Sequence, residues 1–168
     1  MNKNIDKKTR PDTIPMQLTK RDEKIIVRCF EDKLLSTSFL QKLYFPSLAA
    51  SSRRLRILYS NHYLDRTFFS ASPKNHRRKE AYYSLGKRGE SLVALKLGLS
   101  LKQVKCHRKI LNRQIKSYSI LYTLAHLNTI AWTRLVIESA FKAGKKVKLV
   151  KWIPERLLEL NFKDNNRR

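Results

Sequence analysis

A mainly helical fold carrying a small β-hairpin is what this sequence predicts, and three observations predict it. Apolar residues recur at helical spacing in three short segments between residues 19 and 61. Two strand-like runs, Leu64 to Phe69 and Glu80 to Leu85, then flank a basic stretch, SASPKNHRRK, that has no large apolar residue. Helical patterns resume from Lys87 to Ala143, after which Lys146 to Ile153 alternates as a half-buried strand does. Three helices followed by a hairpin is the order of a winged helix-turn-helix. The expected architecture is therefore an N-terminal arm (residues 1–17), a winged-helix domain (residues 18–98) and a basic helical extension (residues 99–168) ending in a short strand.

Each element has a local cause. Pro11, Pro15 and mostly polar neighbours make the first residues read as a mobile arm. Order begins at Thr19, whose spacing to Asp22 fits a capping box, and Ile25, Ile26, Cys29 and Phe30 give a helix from Lys20 to Asp32 its buried face. Ser36, Thr37 and Ser38 offer a second cap, Phe39, Leu40, Leu43 and Tyr44 a second apolar face, and Pro46 a stop. The third helix is expected from Ser51 to Asn61. At 100° per residue Leu55, Leu58, Tyr59 and His62 share its inner side, while Arg53, Arg56, Ile57 and Ser60 point away. Lys87 to Leu97 reads as helix with Gly98 as its C-cap.

Ser100 with Gln103 forms another capping box, opening a helix to Lys116. On it Lys102, Lys105, Lys109, Arg113 and Lys116 fall within about 80° of arc, and Leu101, Val104, Leu111 and Ile115 occupy another sector. Tyr118 to Ala143 predicts a longer apolar helix ending at Gly144. Leu124, Leu127, Ala131 and Leu135 share one side of it, suited either to pairing with a second copy or to burial within the monomer.

Charge narrows the function. The chain has 37 Lys and Arg against 13 Asp and Glu, a formal net charge of +24. Self-repulsion on that scale destabilises a compact state unless an anionic partner neutralises it, and nucleic acid is the commonest such partner, with an anionic membrane second. The apolar run from Ile120 to Ile137 is interrupted by His126, Asn128 and Arg134, which argues against a membrane span. Cys29 and Cys106 make no CxxC pair and no zinc spacing, which fits a reducing cytoplasm with both thiols as core fillers. The N-terminus has no apolar segment of the secretory type. Between Ser51 and Lys79 eight basic side chains face one acid, Asp65; residues 98–168 carry 16 basic and 4 acidic groups, so the basic surface extends past the hairpin.

The candidate DNA contacts follow. On the third helix they are Ser52, Arg53, Arg54, Arg56 and Ser60, with Arg53 and Arg56 placed to reach guanine O6 and N7. Arg66 lies on the first strand, and Lys74, His76, Arg77, Arg78 and Lys79 lie on the wing, suited to phosphate or the minor groove. Lys102, Lys105, Lys109 and Arg113 would extend the backbone contact. A merely solvated charged face is the alternative in each case. Tyr82 and Tyr83 read as strand residues, one buried and one on the outer face, and His126 as a core or interface residue. No Walker loop, GxSxG, HExxH or His-hydrophobe-His arrangement occurs, so neither catalysis, a metal nor a small-molecule cofactor is expected.

The segments LTKRDEKIIVRCFEDKLLSTSFLQKLYFP (18–46), RRLRILYSNHYLDR (53–66), YYSLGKRGESLVALKLG (82–98) and HLNTIAWTRLVIESAFKAG (126–144) stand in a telling order. With the strand ending in Trp152-Ile153-Pro154-Glu155, that order resembles the plasmid replication-relaxation family of winged-helix proteins found on mobile elements. The resemblance implies duplex DNA binding in plasmid replication or maintenance. Longer members continue into a segment similar to a restriction-endonuclease core, whose acidic pattern Glu155, Glu159 and Asp164 do not reproduce. The expectation is thus a cytoplasmic, homodimeric, sequence-specific double-stranded DNA-binding protein, a replication accessory or a transcriptional regulator. A degenerate or partner-dependent nickase or nuclease, and a basic RNA-binding protein, are the alternatives.

Overall fold

The computed structural model describes residues 11–68, 80–116, 120–143 and 152–153; for 113–116 and 120–123 it describes the backbone. The expected strand from Lys146 and the wing residues Lys74, His76, Arg77, Arg78 and Lys79 lie outside the described residues, as do Glu155, Glu159 and Asp164. Six helices and one three-stranded antiparallel sheet are found among the described residues. The order is α1 (Lys20–Glu31), β1 (Leu35–Ser36), α2 (Thr37–Tyr44), α3 (Leu48–Ser60), β2 (Leu64–Phe68), β3 (Ala81–Leu85), α4 (Gly89–Leu97), α5 (Leu101–Lys116) and α6 (Ile120–Ala143).

The caps act where the sequence places them. Thr19 Oγ1 accepts from the Asp22 amide at 3.3 Å and the Asp22 carboxylate accepts from the Thr19 amide at 2.8 Å, closing both halves of the box at the start of α1. Ser36 caps α2, and its helix stops one residue before Phe45 and Pro46. Gly98 closes α4 with a left-handed φ of 65°, and Ser100 and Gln103 exchange the expected bonds at the start of α5.

Three local features differ from expectation. α3 begins at Leu48, three residues before Ser51, because Ser47 supplies the cap and accepts from the Ala50 amide at 3.2 Å. A two-residue strand, β1, pairs with β3 in the register Leu35 to Tyr83, giving the sheet order β1-β3-β2. Residues from Ile14 onward are fastened to the fold: Ile14 O accepts from Asn61 Nδ2 at 2.7 Å, and Met16 and Leu18 pack on the core.

The larger of two buried clusters draws on all six helices. Ile25, Ile26, Phe30, Phe39, Leu40, Leu55, Leu58, Leu64 and Leu85 are its fully or almost fully buried centre, and Val93, Val104 and Ala131 bring α4, α5 and α6 onto it. Trp132 of α6 meets Phe39 edge-on at 5.1 Å. The other face of the sheet is covered as well, since Tyr82 packs with Leu34, Leu124 and Leu127. The apolar side of α6 that suited a second copy is therefore occupied within the chain by Leu124, Leu127 and Ala131. Cys29 is buried as expected, whereas Cys106 is exposed, because it lies between Lys102 and Lys109 on the outward side of α5. Leu101, expected in an apolar sector, and His126, expected in a core or an interface, are exposed for the same geometric reason: each lies off the side that meets the core.

The base of the hairpin closes on the turn after α3 by backbone contact, Gly86 N donating to Tyr63 O at 2.9 Å and Arg88 N to His62 O at 2.9 Å. A Cβ on Gly86 would lie 2.4 Å from His62 O and 2.8 Å from Leu64 N, so no side chain fits there. His62 itself adopts φ 63°, turning the chain from α3 into β2. Gly86→Ala is expected to cost about 3 kcal/mol or more, as a backbone displacement does. Gly98→Ala, where nothing lies within 4 Å and only the positive φ is strained, should cost about 1–2 kcal/mol. Urea denaturation of both variants checks the ranking.

Candidate nucleic-acid interface

The outward side of α3 is built from its first turn onward. Ala49, Ser52, Arg53 and Arg56 are exposed on one side, Ser51, Leu55, Leu58 and Tyr59 are buried on the other, and Leu48, exposed in the first turn, projects on the side of Leu55 and Tyr59. The helix contains no acid. Of the five candidates on it, the structure leaves Ser52, Arg53 and Arg56 on the open face and withdraws two.

Arg54 is the first withdrawal. Its Nε donates to Asp22 Oδ1 at 2.9 Å and its Nη2 to Gln17 O at 2.8 Å, tying α3 to α1 and to the chain before α1. Asp22 is fully buried. Burial would raise its pKa, but hydrogen bonds from Arg54 and Thr19 outweigh that and hold the carboxyl below the usual carboxylate range. Ser60 is the second. A helical projection places it outward, but it lies in the last turn, where Asn61 and His62 lead β2 back along α3, and it is fully buried. His62, expected inward, is exposed in that turn.

Arg66 of β2 is half-buried. Its guanidinium lies 4.4 Å from the Tyr59 ring centroid and 5.1 Å from that of Phe68, so it also fastens the hairpin to α3. On α5, Lys102, Lys105 and Lys109 are exposed in a row, as expected, while the Arg113 side chain lies outside the described residues. The opposite side of α5 is anchored by Val104, Leu111 and buried His107, the last edge-on to Phe30 at 6.3 Å. Arg108, beside the lysine row, turns to Glu90 at 2.5 Å and Asp65 at 3.4 Å.

The acids explain the basic surface. Nine acidic residues lie among the described residues, and seven of them, Asp22, Glu23, Glu31, Asp32, Asp65, Glu90 and Glu138, are ion-paired with Arg28, Arg54, Lys96, Arg108 or Arg134. An eighth, Glu80, accepts from the Ser38 amide in the first turn of α2 at 3.0 Å. The densest group joins α1 to α6. Arg134 reaches Asp32 at 2.9 Å, Glu31 at 2.9 Å and Glu138 at 2.8 Å, and Arg28 bonds Asp32 and Glu138. Arg53, Arg56, Lys102, Lys105 and Lys109 take part in none of these pairs.

Sequence reasoning missed Leu48 and Ala49, which precede its helix start, and three cations held over rings: Arg21 on Phe45, Lys42 on Trp132 and Arg88 on Tyr63. Ser47, one residue after Pro46, was the available signal for the early start. Arg21 is exposed beside the turn that opens α3, and Arg88 beside the base of the hairpin. The stacked cations carry no signal in a single sequence. No family model, characterised protein or solved structure matches this chain.

Arg54→Ala leaves Asp22 buried without its charged partner and is expected to cost on the order of 3 kcal/mol. Arg53→Ala and Arg56→Ala, one residue before and two after, should stay within about 0.5 kcal/mol of the parent. Thermal melts of the three variants decide this. Asp22 and Glu138 both hold protons less tightly when folded than their ordinary values of 3.8 and 4.5, because arginine bonds outweigh burial. The unfolded chain therefore takes up protons first as pH falls. Their contribution is complete above those ordinary values and drains as pH drops through the lower folded ones, so unfolding free energy measured against pH should fall steeply in that acid range. Asp22→Asn should flatten part of the fall.

Proposed function

We propose that the chain is a winged helix-turn-helix protein that binds duplex DNA, with α3 in the major groove and the β2–β3 hairpin on the neighbouring backbone. Three features support the fold reading. The element order is helix, short strand, two helices and a hairpin; β1 pairs with β3 beside the hairpin; and only Phe45, Pro46 and Ser47 separate α2 from α3. The observation that carries the DNA reading is the outward side of α3. It presents Ser52, Arg53 and Arg56, with no acid, from a helix whose other arginine is fixed inward. Guanidinium groups there can reach base edges, while the hairpin cations and the α5 lysine row contribute phosphate contacts that carry no sequence information.

The resemblance to plasmid replication-relaxation proteins adds the setting: a mobile element, in replication, maintenance or transcription control. A homodimer on a two-half-site operator belongs to the same reading. Any such dimer uses a surface other than the apolar side of α6, which the core takes up.

Duplex binding should weaken as salt rises, with a log–log slope near −0.9 per neutralised phosphate. Arg53→Ala or Arg56→Ala should lose about 1–3 kcal/mol against the preferred site and far less against random duplex. Lys102→Ala, Lys105→Ala and Lys109→Ala together should weaken all sequences alike and lower the salt slope. Fluorescence anisotropy across a salt series measures both. Tighter binding of structured RNA than of any duplex selected from a random pool would reject the proposal, and magnesium-dependent nicking of supercoiled plasmid would replace it with a nuclease.

A further inference from the structure

The two sides of α1 carry different tasks. Asp22 ties one of them to α3 through Arg54. On the other, about 170° away at 100° per residue, Lys20, Lys24, Val27 and Arg28 line a groove of about 480 Å³. Tyr44 of α2, Leu97 of α4 and Arg134 of α6 stand around it. That volume falls within the roughly 300–1,000 Å³ of sites that hold small molecules. Val27, Tyr44 and Leu97 are half-buried and pack against the core, which gives the groove an apolar floor.

The charges of this groove do not balance. Its two acids, Glu23 and Glu31, are taken by Lys96 at 2.9 Å and Arg134 at 2.9 Å. Lys20 and Lys24 are exposed and make no ion pair among the described residues. In a chain of net charge +24 two such lysines alone would mark a solvated face, and Arg28 is what distinguishes this one. It is 6% exposed; Asp32 and Glu138 take its Nε and Nη1, while its Nη2 is buried with no hydrogen-bond partner. A buried donor on a charged group is costly to leave unpaired, so this one calls for an acceptor that arrives from outside. We infer that the groove binds a small organic anion, a carboxylate or phosphate on an apolar body, with its charge at Lys24 and Arg28, one turn apart on α1, and its body against Val27, Tyr44 and Leu97. Lys20 adds attraction at the mouth. A nucleic-acid backbone offers charge without such a body, and the site faces away from Arg54, so the inference stands independently of the DNA reading.

Anilinonaphthalene sulfonate is a suitable probe for the full chain, since it carries one anionic group on an aromatic body and brightens when that body leaves water. It should saturate at one molecule per chain. Phenylnaphthylamine, the same body without the sulfonate, should bind about tenfold more weakly. Lys20→Ala combined with Lys24→Ala, both at exposed positions, should weaken the dye about tenfold. Lys102→Ala, Lys105→Ala and Lys109→Ala together remove more charge from α5 and should leave its affinity unchanged. Val27→Trp, which fills the floor, should abolish binding, and octanoate should displace the dye where acetate does not. Equal losses in the α1 and α5 lysine variants would show general attraction to a cationic surface and overturn the site. Unchanged affinity in the α1 variant overturns it as well. Displacement by a duplex oligonucleotide that matches displacement by octanoate would assign these cations to a phosphate backbone instead.

Discussion

A shortage of carboxylates governs this molecule. With 13 acids for 37 cations, the positive side chains far outnumber the groups that could pair with them, and where each acid sits decides which cations are structural and which face outward. Asp22 shows the rule most clearly. One buried carboxylate completes the α1 cap and fixes Arg54, so a single group joins the start of α1 to α3. It acts in concert with the burial of Leu55 and Leu58, which leaves Arg53 and Arg56 outside. Glu31, Asp32 and Glu138 do the equivalent for α6, and Glu90 and Asp65 for α5. Removing acids from the surface concentrates positive potential there without adding a single lysine.

The parts of this arrangement that were legible in the sequence are those with local causes. Capping boxes at Thr19 and Ser100, the stop at Pro46 and the left-handed glycine at Gly98 involve atoms a few residues apart, and they lie where spacing predicts. Periodicity likewise gave the inner sides of α1 and α3. The losses have a common cause in long-range contact. Arg54 is one of three arginines in four residues, and nothing local says that it meets Asp22, 32 positions earlier. Ser60 obeys the helical projection, yet the returning strand buries it. β1 is too short to leave a pattern and exists because β3 is there to pair with it. The apolar side of α6 was visible, but what covers it, Tyr82 and Leu34 at Leu124 and Leu127 and the main core at Ala131 and Leu135, comes from distant parts of the chain.

The candidate interface divides the same way. Exposure of Arg53, Arg56, Lys102, Lys105 and Lys109 follows from helical angle and was readable. The early start of α3 was not, since Ala49, Ala50 and Ser51 are too small to announce a helix by periodicity. Arg66 is a mixed case, since its place on a strand was legible and its stacking on Tyr59 was not. Cations laid over rings are held in orientation at little cost in solvation, so Arg21, Arg66 and Arg88 have part of their side-chain entropy already lost within the fold.

The close approach at Gly86 has a consequence for how the hairpin can change over time. Its base is held together by main-chain atoms of His62 and Leu64, groups that every residue shares, so this closure depends on the absence of a side chain at Gly86 and not on the identity of the residues it meets. The residues that join β2 to β3 can vary in length and charge while the mount stays the same. The mount is inherited; the tool fitted to it is exchangeable.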